Sequence, residues 1–295
     1  MVIEEYVVGG STHARGVEVR CEGVVHLYRT FEGHDVVALR GVDLLIRPSE
    51  RVAFLGPSGS GKSTLLTLLG GIQRPSAGRI FVGDEEISRM GERYLARLRA
   101  RRVSTMLQGA GRNLLSYATA RQNIAFARLA TDSDVRDGLL PEDELLARVD
   151  LGAQADQTVA TMSGGQRQRL ALACAVSTGP DLLLADEPTS QLSHEDRDHV
   201  LGLIHRLGDD LGTTIVVVTH QPEVAATFPR TITMKGGRVG AEGRDGSEYV
   251  VIGEEGVLHL PSHVAAEWPP GTLVRIEPAD LDSLLLSRPD DGSDR

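Results

Sequence analysis

The fold is decided by nine residues, Gly56-Pro57-Ser58-Gly59-Ser60-Gly61-Lys62-Ser63-Thr64, which match the pattern G-x-x-x-x-G-K-[ST]. An apolar run, Arg51–Leu55, precedes them, and a leucine-rich segment, Leu65–Leu69, follows. A buried strand, a glycine loop and an apolar helix in this order are the context in which the pattern binds phosphate. Glycines allow successive backbone N–H groups to point inward at phosphate oxygens. The stretch therefore predicts a phosphate-binding loop in an α/β fold.

Two side chains of this loop are suited to nucleotide chemistry. Lys62 brings a flexible positive charge to the β- and γ-phosphates, and Ser63 offers a hydroxyl to Mg²⁺. Lysine is rare in this chain. Of its 31 lysine and arginine residues, Lys62 and Lys235 are the two lysines, and the rest are arginine. A lysine at a position where this chain would ordinarily use arginine indicates a specific role for Lys62.

Acidic residues follow another predicted strand. Buried strands are predicted at Val103–Leu107, Leu182–Ala185 and Thr214–Thr219, separated by helical patterns, which indicates a largely parallel sheet. Asp186 and Glu187 come directly after the second of these strands. We expect Asp186 to hold Mg²⁺ through water. Glu187 is predicted to orient or deprotonate an attacking water as a general base.

A third motif, Met162-Ser163-Gly164-Gly165-Gln166, lies between these two and precedes the helical run Arg167–Ser177. Ser163 is a good helix N-cap, and the glycines after it open backbone donors at a second anion site. With the motifs in this order, residues 17–240 resemble the nucleotide-binding domain of ATP-binding cassette (ABC) proteins, whose signature is L-S-G-G-Q. In that family the signature closes over the γ-phosphate held by another subunit. The resemblance implies a homodimer around two Mg-ATP.

The resemblance assigns three further positions. Gln108 resembles the glutamine that touches Mg²⁺ and senses the partner, and His220 resembles the histidine that contacts the γ-phosphate. Tyr28 resembles the aromatic residue that stacks on adenine, with Tyr6 and Phe31 as other upstream aromatics. The predicted site comprises the catalytic Glu187, His220 and Lys62; the nucleotide-binding Tyr28, Gly56, Pro57, Ser58, Gly59, Ser60, Gly61, Lys62, Ser63, Thr64, Gln108, Ser163, Gly164, Gly165 and Gln166; and the metal ligands Ser63, Gln108 and Asp186.

One family motif is altered. Where the family reads S-A-L-D, this chain has Ser190-Gln191-Leu192-Ser193, so the aspartate is missing. In the family that aspartate bridges the dimer interface and helps to couple the two sites. Serine keeps hydrogen bonding but loses the charge, and we therefore expect weaker coupling. Glu187 is present, so an active site is still expected.

Composition and charge exclude several classes of protein. The chain has 295 residues and a net charge of −10, of which residues 241–295 carry −8 from 12 acidic and 4 basic residues. Gripping nucleic acid needs a basic surface, so no nucleic-acid partner is expected. No apolar run approaches the roughly 18 residues of a membrane span. The N-terminus has no secretory signal pattern, and Cys21 and Cys174 are too few for a disulfide framework. These features predict a cytosolic chain.

Four segments are predicted. Residues 1–16 are a flexible leader; 17–240 form a P-loop cassette with an antiparallel β subdomain and a helical subdomain at about 109–178; 241–286 form a small β-rich module; and 287–295 are a disordered tail. The module's predicted strands are Tyr249–Ile252, Gly256–Pro261 and Gly271–Ile276. Within it, Val257–Glu277 resembles the swapped-hairpin fold of transition-state regulators, which dimerise, and this favours a dimerising or regulatory role. The alternative is a subdomain that packs on the cassette.

Two stretches resemble one subfamily. Leu69–Gly78 is similar to L-G-G-L-D-x-P-T-S-G, and Asn113–Ile124 is similar to N-L-L-P-x-L-T-A-x-E-N-V of the macrolide-export and lipoprotein-release ATPases, with Gln122 in place of the acidic residue. The resemblance implies an ATPase on the inner face of the cell membrane, bound to a separate integral membrane permease and driving export or mechanical extraction. A cell-division-type complex that transmits force without transport is the alternative. DNA-repair and ribosome-acting members are disfavoured by the short distance from Lys62 to Ser163 and by the single set of motifs.

Overall fold

The computed structural model describes residues 16–29, 33–131, 133–136, 138–244, 247–250, 267–268, 272–280 and 283–288. The predicted leader up to residue 15, the predicted strand Gly256–Pro261 and the tail from residue 289 lie outside these ranges. In chain order the elements are β1 (Val19–Arg29), β2 (Asp35–Ile46), β3 (Arg51–Leu55), α1 (Lys62–Leu69), β4 (Ala77–Val82), β5 (Glu85–Glu86), α2 (Glu92–Arg101), β6 (Val103–Met106), α3 (Ala120–Ala127), α4 (Ser133–Arg136), α5 (Glu142–Arg148), α6 (Gly164–Val176), β7 (Leu182–Asp186), α7 (His194–Leu211), β8 (Thr214–Thr219), α8 (Pro222–Ala225), β9 (Arg230–Lys235), β10 (Arg238–Arg244), β11 (Ser247–Val250), β12 (Arg275–Asp280) and β13 (Ser283–Ser287).

The main sheet has the strand order β11-β10-β9-β3-β8-β7-β6. Strands β9, β3, β8, β7 and β6 run parallel to one another, whereas β10 pairs antiparallel with β9, and β11 pairs antiparallel with β10. The central strands are buried almost throughout, as expected for parallel strands covered on both faces. The predicted α/β class is confirmed. Because the carboxyl ends of parallel strands meet at one edge, the loops after β3, β6, β7 and β8 converge there.

A second, antiparallel sheet has the order β2-β1-β4-β5, and it is the predicted antiparallel β subdomain. Its strand β1 alternates buried and partly exposed residues, since Val19 and Cys21 point into the core while Arg20 lies between them at the surface. Gly78, in β4, has φ +84°, and a Cβ there would lie 2.7 Å from the carbonyl oxygen of Glu22 on β1. This close approach of the two strands requires glycine.

Buried side chains form two cores, one on each face of the main sheet. Successive residues of a strand point to opposite faces, so Ile215 and Val217 of β8 join one core while Val216 and Val218 join the other. The first core packs the sheet against α3, α5, α6 and α7. The second packs it against α1 and the antiparallel sheet. The phosphate loop thus lies where the two sheets and α1 meet.

The helical region at 109–178 contains α3 to α6 and is tied together by a buried arginine. Arg128, at the end of α3, donates to the carbonyl oxygens of Ser177 at 3.1 Å and Leu140 at 2.6 Å. It also pairs with Glu142 at 3.2 Å. A buried guanidinium needs such partners because leaving it unpaired would cost several kilocalories per mole. Arg128 therefore links both ends of this region.

The C-terminal part differs in detail from the sequence prediction. Strand β10 crosses residue 240, and β11 adds a further strand, so the main sheet continues to Val250. Buried Arg230 of β9 fastens β10 by pairing with Glu242 at 2.8 Å, and it also pairs with Glu50 at 3.0 Å. The predicted strand Gly271–Ile276 was misplaced, because the described strand begins at Arg275 and pairs with β13 in a separate hairpin. A division into domains near residue 240 stays a prediction.

Within the described ranges, no helix combines the length and apolar character that a membrane crossing requires.

Candidate nucleotide-binding site

The phosphate loop connects β3 to α1, as the sequence predicts. Gly61 caps α1 with φ +98°, a conformation that glycine adopts without strain. A Cβ at Gly61 would also lie 2.6 Å from the carbonyl oxygen of Ala38. At Gly59, by contrast, a Cβ would meet nothing within 4 Å, so this part of the loop opens to the exterior. The loop therefore forms a backbone cradle with free space above it.

Lys62 is buried and lies inside the curve of the loop. Its Nζ donates to the carbonyl oxygens of Gly56 at 2.6 Å and Pro57 at 2.9 Å, and to Ser60 Oγ at 3.3 Å. Burial lowers the pKa of Lys62, while the nearby carboxylates Glu187 and Asp186 raise it. The ammonium is thus held at the base of the cradle, within reach of two acidic side chains.

A polar pair joins the start of α1 to the end of β7. Ser63 Oγ donates to Asp186 Oδ1 at 3.2 Å, although 123 residues separate them. Burial raises the pKa of Asp186, and the hydrogen bond from Ser63 lowers it. A hydroxyl and a carboxylate are oxygen ligands of the kind that Mg²⁺ prefers. Magnesium therefore fits this donor set, with phosphate and water supplying its other ligands. In the described part of the chain no cluster of three or more His, Cys, Asp or Glu forms a metal site.

Glu187 is buried directly beyond Asp186 and is held by two groups from the end of β8. His220 Nδ1 donates to Glu187 Oε1 at 2.7 Å, and Thr219 Oγ1 donates to Oε2 at 3.4 Å. The backbone of Glu187 has φ +48°, which costs a non-glycine residue about 1–3 kcal/mol. Strain of this kind persists where the surroundings hold a side chain in a particular place. The sheet thus brings two predicted catalytic residues into contact.

Two other predicted residues lie at the rim of the site. The Tyr28 hydroxyl donates to Gln73 Oε1 at 2.9 Å and lies 3.3 Å from Thr64 Oγ1 of the loop, and its ring packs edge-to-face on His26. The other upstream aromatics, Tyr6 and Phe31, lie outside the described residues. Gln108 follows β6 and is exposed.

The loop that carries Gln108 is held by a residue that the sequence analysis did not include in the site. Asn113 Nδ2 donates to the carbonyl oxygens of Leu107 at 2.8 Å and Gly109 at 3.1 Å, while Asn113 Oδ1 accepts from the Leu107 amide at 2.9 Å. These bonds close the turn on both sides of Gln108. An asparagine five residues after the glutamine is the signal that could have identified it.

The signature forms the first turn of α6. Ser163 and Gln166 make a capping box. The backbone N–H of Gln166 donates to Ser163 Oγ at 3.2 Å, and the backbone N–H of Ser163 donates to Gln166 Oε1 at 2.8 Å. A Cβ at Gly164 would meet nothing within 4 Å. Among the described residues, no hydrogen bond or ion pair joins this turn to the phosphate loop. The structure thus places the phosphate loop and the signature at two separate helix starts, and anion binding at each stays a prediction.

A further contact links α6 to the loop that follows β7. The side chain of Gln168, buried in α6, donates to the carbonyl oxygen of Pro188, next to Glu187. The signature helix and the general-base candidate are therefore connected within one chain. This residue was missed by the sequence analysis because the contact spans two elements.

Comparison with known proteins decides the family. The family model described as ABC transporter matches residues 39–190. The chain belongs to the ABC transporter family. The cassette is 37% identical over 224 residues to the lipoprotein-releasing system ATP-binding protein LolD of Chromohalobacter salexigens, a match that covers 76% of this chain and 93% of that protein. It is 39% identical over 208 residues to LolD 1 of Caulobacter vibrioides, covering 70% of this chain and 88% of that protein.

Among solved structures, the cassette is similar to the dimeric post-hydrolysis state of the ATP-binding cassette MJ0796 bound to ADP and Pi. The TM-score is 0.67 with 31% identity, and the match covers 77% of this chain and 98% of that one. The predicted ABC resemblance and its lipoprotein-release type are confirmed, and the cassette binds ATP with Mg²⁺ and hydrolyses ATP.

Proposed function

We propose that two copies of this cassette close around two Mg-ATP and drive a separate integral membrane permease, for export or mechanical extraction. The cassette would lie at the inner face of the cell membrane through that permease. One observation carries the proposal. The chain has a complete phosphate cradle and an open signature turn, and the two do not contact each other, so a second copy is needed to bring a signature turn to each cradle. The force-transmitting alternative is not favoured, because the similar proteins named above are release-system subunits.

In this proposal, different side chains accept the proton, stabilise the developing charge and contact the γ-phosphate. Glu187 accepts a proton from the water that attacks the γ-phosphate. Lys62 and, from the other subunit, Ser163 stabilise the charge that develops on the phosphate oxygens. Because Nδ1 of His220 is bound to Glu187, Nε2 is the ring nitrogen left to contact the γ-phosphate.

The remaining assigned residues bind and orient. Ser63, Gln108 and Asp186 would hold Mg²⁺, which when bound neutralises charge on the transferring phosphate. Tyr28 would contact the adenine from its position beside Thr64. The open space above Gly59 in the cradle and above Gly164 in the signature leaves both turns accessible to the two sides of one nucleotide.

Ser163→Arg tests the two-subunit arrangement. We expect this variant to bind ATP like the parent, because its own phosphate loop is unchanged, and to lose ATP turnover by roughly 10²-fold or more, because the arginine fills the turn that completes the partner's site. Nucleotide affinity and steady-state ATPase activity are the two measurements.

Ser163→Asn is the matched control, since asparagine caps a helix about as well as serine. It changes Ser163 while keeping the cap and adding little bulk, so it should retain most of the turnover that Ser163→Arg loses. An equal loss of ATP affinity and of turnover in Ser163→Arg would contradict the arrangement.

Exposed apolar side chains between residues 117 and 129 give the helical region a surface that suits a protein partner. Tyr117 is 80% exposed, and Phe126 and Leu129 are also exposed. Gln122, which replaces an acidic residue there, closes a capping box with Thr119, so its substitution keeps the local helix start. We propose that the permease docks on this surface.

Tyr117→Ala is expected to leave the ATPase activity of the isolated cassette unchanged and to reduce its stimulation by the permease in lipid by roughly tenfold, as for a buried aromatic anchor at an interface. Tyr94→Ala, which removes another exposed tyrosine, is the control. Normal stimulation of Tyr117→Ala would place the docking surface elsewhere.

A further inference from the structure

The two signature glycines have different surroundings. Gly164 faces open space, whereas Gly165 is covered by the side chain of Asp196 from the first turn of α7. A Cβ at Gly165 would lie 2.5 Å from the carboxyl carbon of Asp196 and 2.9 Å from Oδ2. Glycine at 165 is therefore required by a contact within the chain itself, and this contact puts a carboxylate against the signature turn.

The position of this carboxylate follows from the way α7 begins. Ser193 is the N-cap, and its Oγ accepts from the Asp196 amide at 3.2 Å and donates to Asp196 Oδ2 at 3.1 Å. These two bonds hold the acidic side chain at the start of the helix, on the side that faces Gly165. The first turn of α7 has two acidic residues, Glu195 and Asp196, and Asp196 is the one whose side chain lies beside the signature turn.

We propose that Asp196 sets the affinity with which ATP closes two cassettes together. The inference rests on the proposed function, in which the γ-phosphate of one subunit meets the signature turn of the other. A carboxylate on that turn repels the incoming phosphate, because both groups carry negative charge and Asp196 is only partly exposed, so water screens the repulsion incompletely. Asp196 thereby weakens the closed state and favours reopening after hydrolysis.

Symmetry doubles the effect, because each closed dimer contains two such contacts. With water-like screening, repulsion between unit charges about 6 Å apart corresponds to roughly threefold in affinity for one contact, and roughly tenfold for two. Salt reduces the interaction, since Asp196 is partly exposed to solvent.

The test is ATP-driven dimerisation in a background that does not hydrolyse ATP. Glu187→Gln alone is compared with Glu187→Gln combined with Asp196→Asn, and the dimer dissociation constant is measured by analytical ultracentrifugation in Mg-ATP at low and high salt. We expect Asp196→Asn to tighten the dimer roughly tenfold at low salt and by less at high salt. ATP affinity of the single cassette is expected to stay the same.

Asp198→Asn is the matched control, because Asp198 lies on the same helix, is exposed and pairs with its neighbour Arg197. It removes the same charge without touching the signature. Asp196→Ser is a second variant that keeps a small polar side chain if asparagine disturbs the fold, which thermal melting reports. Equal effects of Asp196→Asn and Asp198→Asn, or a looser dimer in both Asp196 variants, would overturn the inference. Absence of an ATP-dependent dimer in every variant would instead refute the proposed function.

Discussion

Glu187→Gln is expected to lower ATP turnover by roughly 10²–10⁴-fold, the usual contribution of a general base, while ATP binding is retained. Glutamine has nearly the same shape as glutamate, and its carbonyl oxygen can still accept the hydrogen bond from His220 Nδ1. It cannot take a proton from water. Since hydrolysis is the step that reopens the dimer in the proposed cycle, the variant should also accumulate as a dimer with ATP.

Single-turnover hydrolysis and the oligomeric state in Mg-ATP are the measurements. Glu223→Gln is the control, because Glu223 is an exposed carboxylate three residues beyond His220 and has no assigned role. Hydrolysis by Glu187→Gln at the parental rate would show that another group takes the proton. A monomer in ATP with hydrolysis abolished would preserve the base assignment but contradict the closed dimer.

Lys62→Ala is expected to lose most ATP affinity and roughly 10²–10³-fold in turnover at saturating ATP, as when one fixed donor to a developing anion is removed. The structure adds a second reason. The Lys62 ammonium binds the carbonyl oxygens of Gly56 and Pro57, so its removal also leaves the cradle without the group that holds its curve. Both effects act on the same site.

The chain provides its own control for this variant, because Lys235 is the one other lysine and lies exposed at the end of β9. Lys235→Ala should bind and hydrolyse ATP normally. Lys62→Arg keeps the charge but replaces a compact ammonium with a wide planar fork, and we expect it to restore little activity. Full ATP affinity in Lys62→Ala would contradict the assigned role of the loop.

Local patterns were sufficient for the parts of the site that lie within one strand–loop–helix unit. The phosphate loop, the pair Asp186 and Glu187, and the signature are each encoded by adjacent residues whose conformations depend on near neighbours. The helix cap at Ser163 is of the same kind, because a capping box spans four residues. Parallel strands could be inferred from buried apolar runs, and their common edge explains why the motifs converge.

The missing aspartate of the altered motif shows the limit of this reasoning. From the local sequence alone, serine at position 193 in place of the family's aspartate predicts that a negative charge is lost there. In the fold, Ser193 caps α7 and holds Asp196, which places a carboxylate on Gly165 from 31 positions further along the chain. No pattern in either segment encodes that distance, because it depends on how α7 packs against α6.

The sequence by itself thus determined the family, the order of the motifs and the chemical type of each site residue, since these depend on short stretches of chain. The tertiary structure decided which of those residues touch. Glu187 meets His220, Ser63 meets Asp186, and β10 carries the main sheet past residue 240 because strand order and helix packing set these contacts. Contacts between distant segments arise from the register and packing of whole elements, and only the assembled core specifies them.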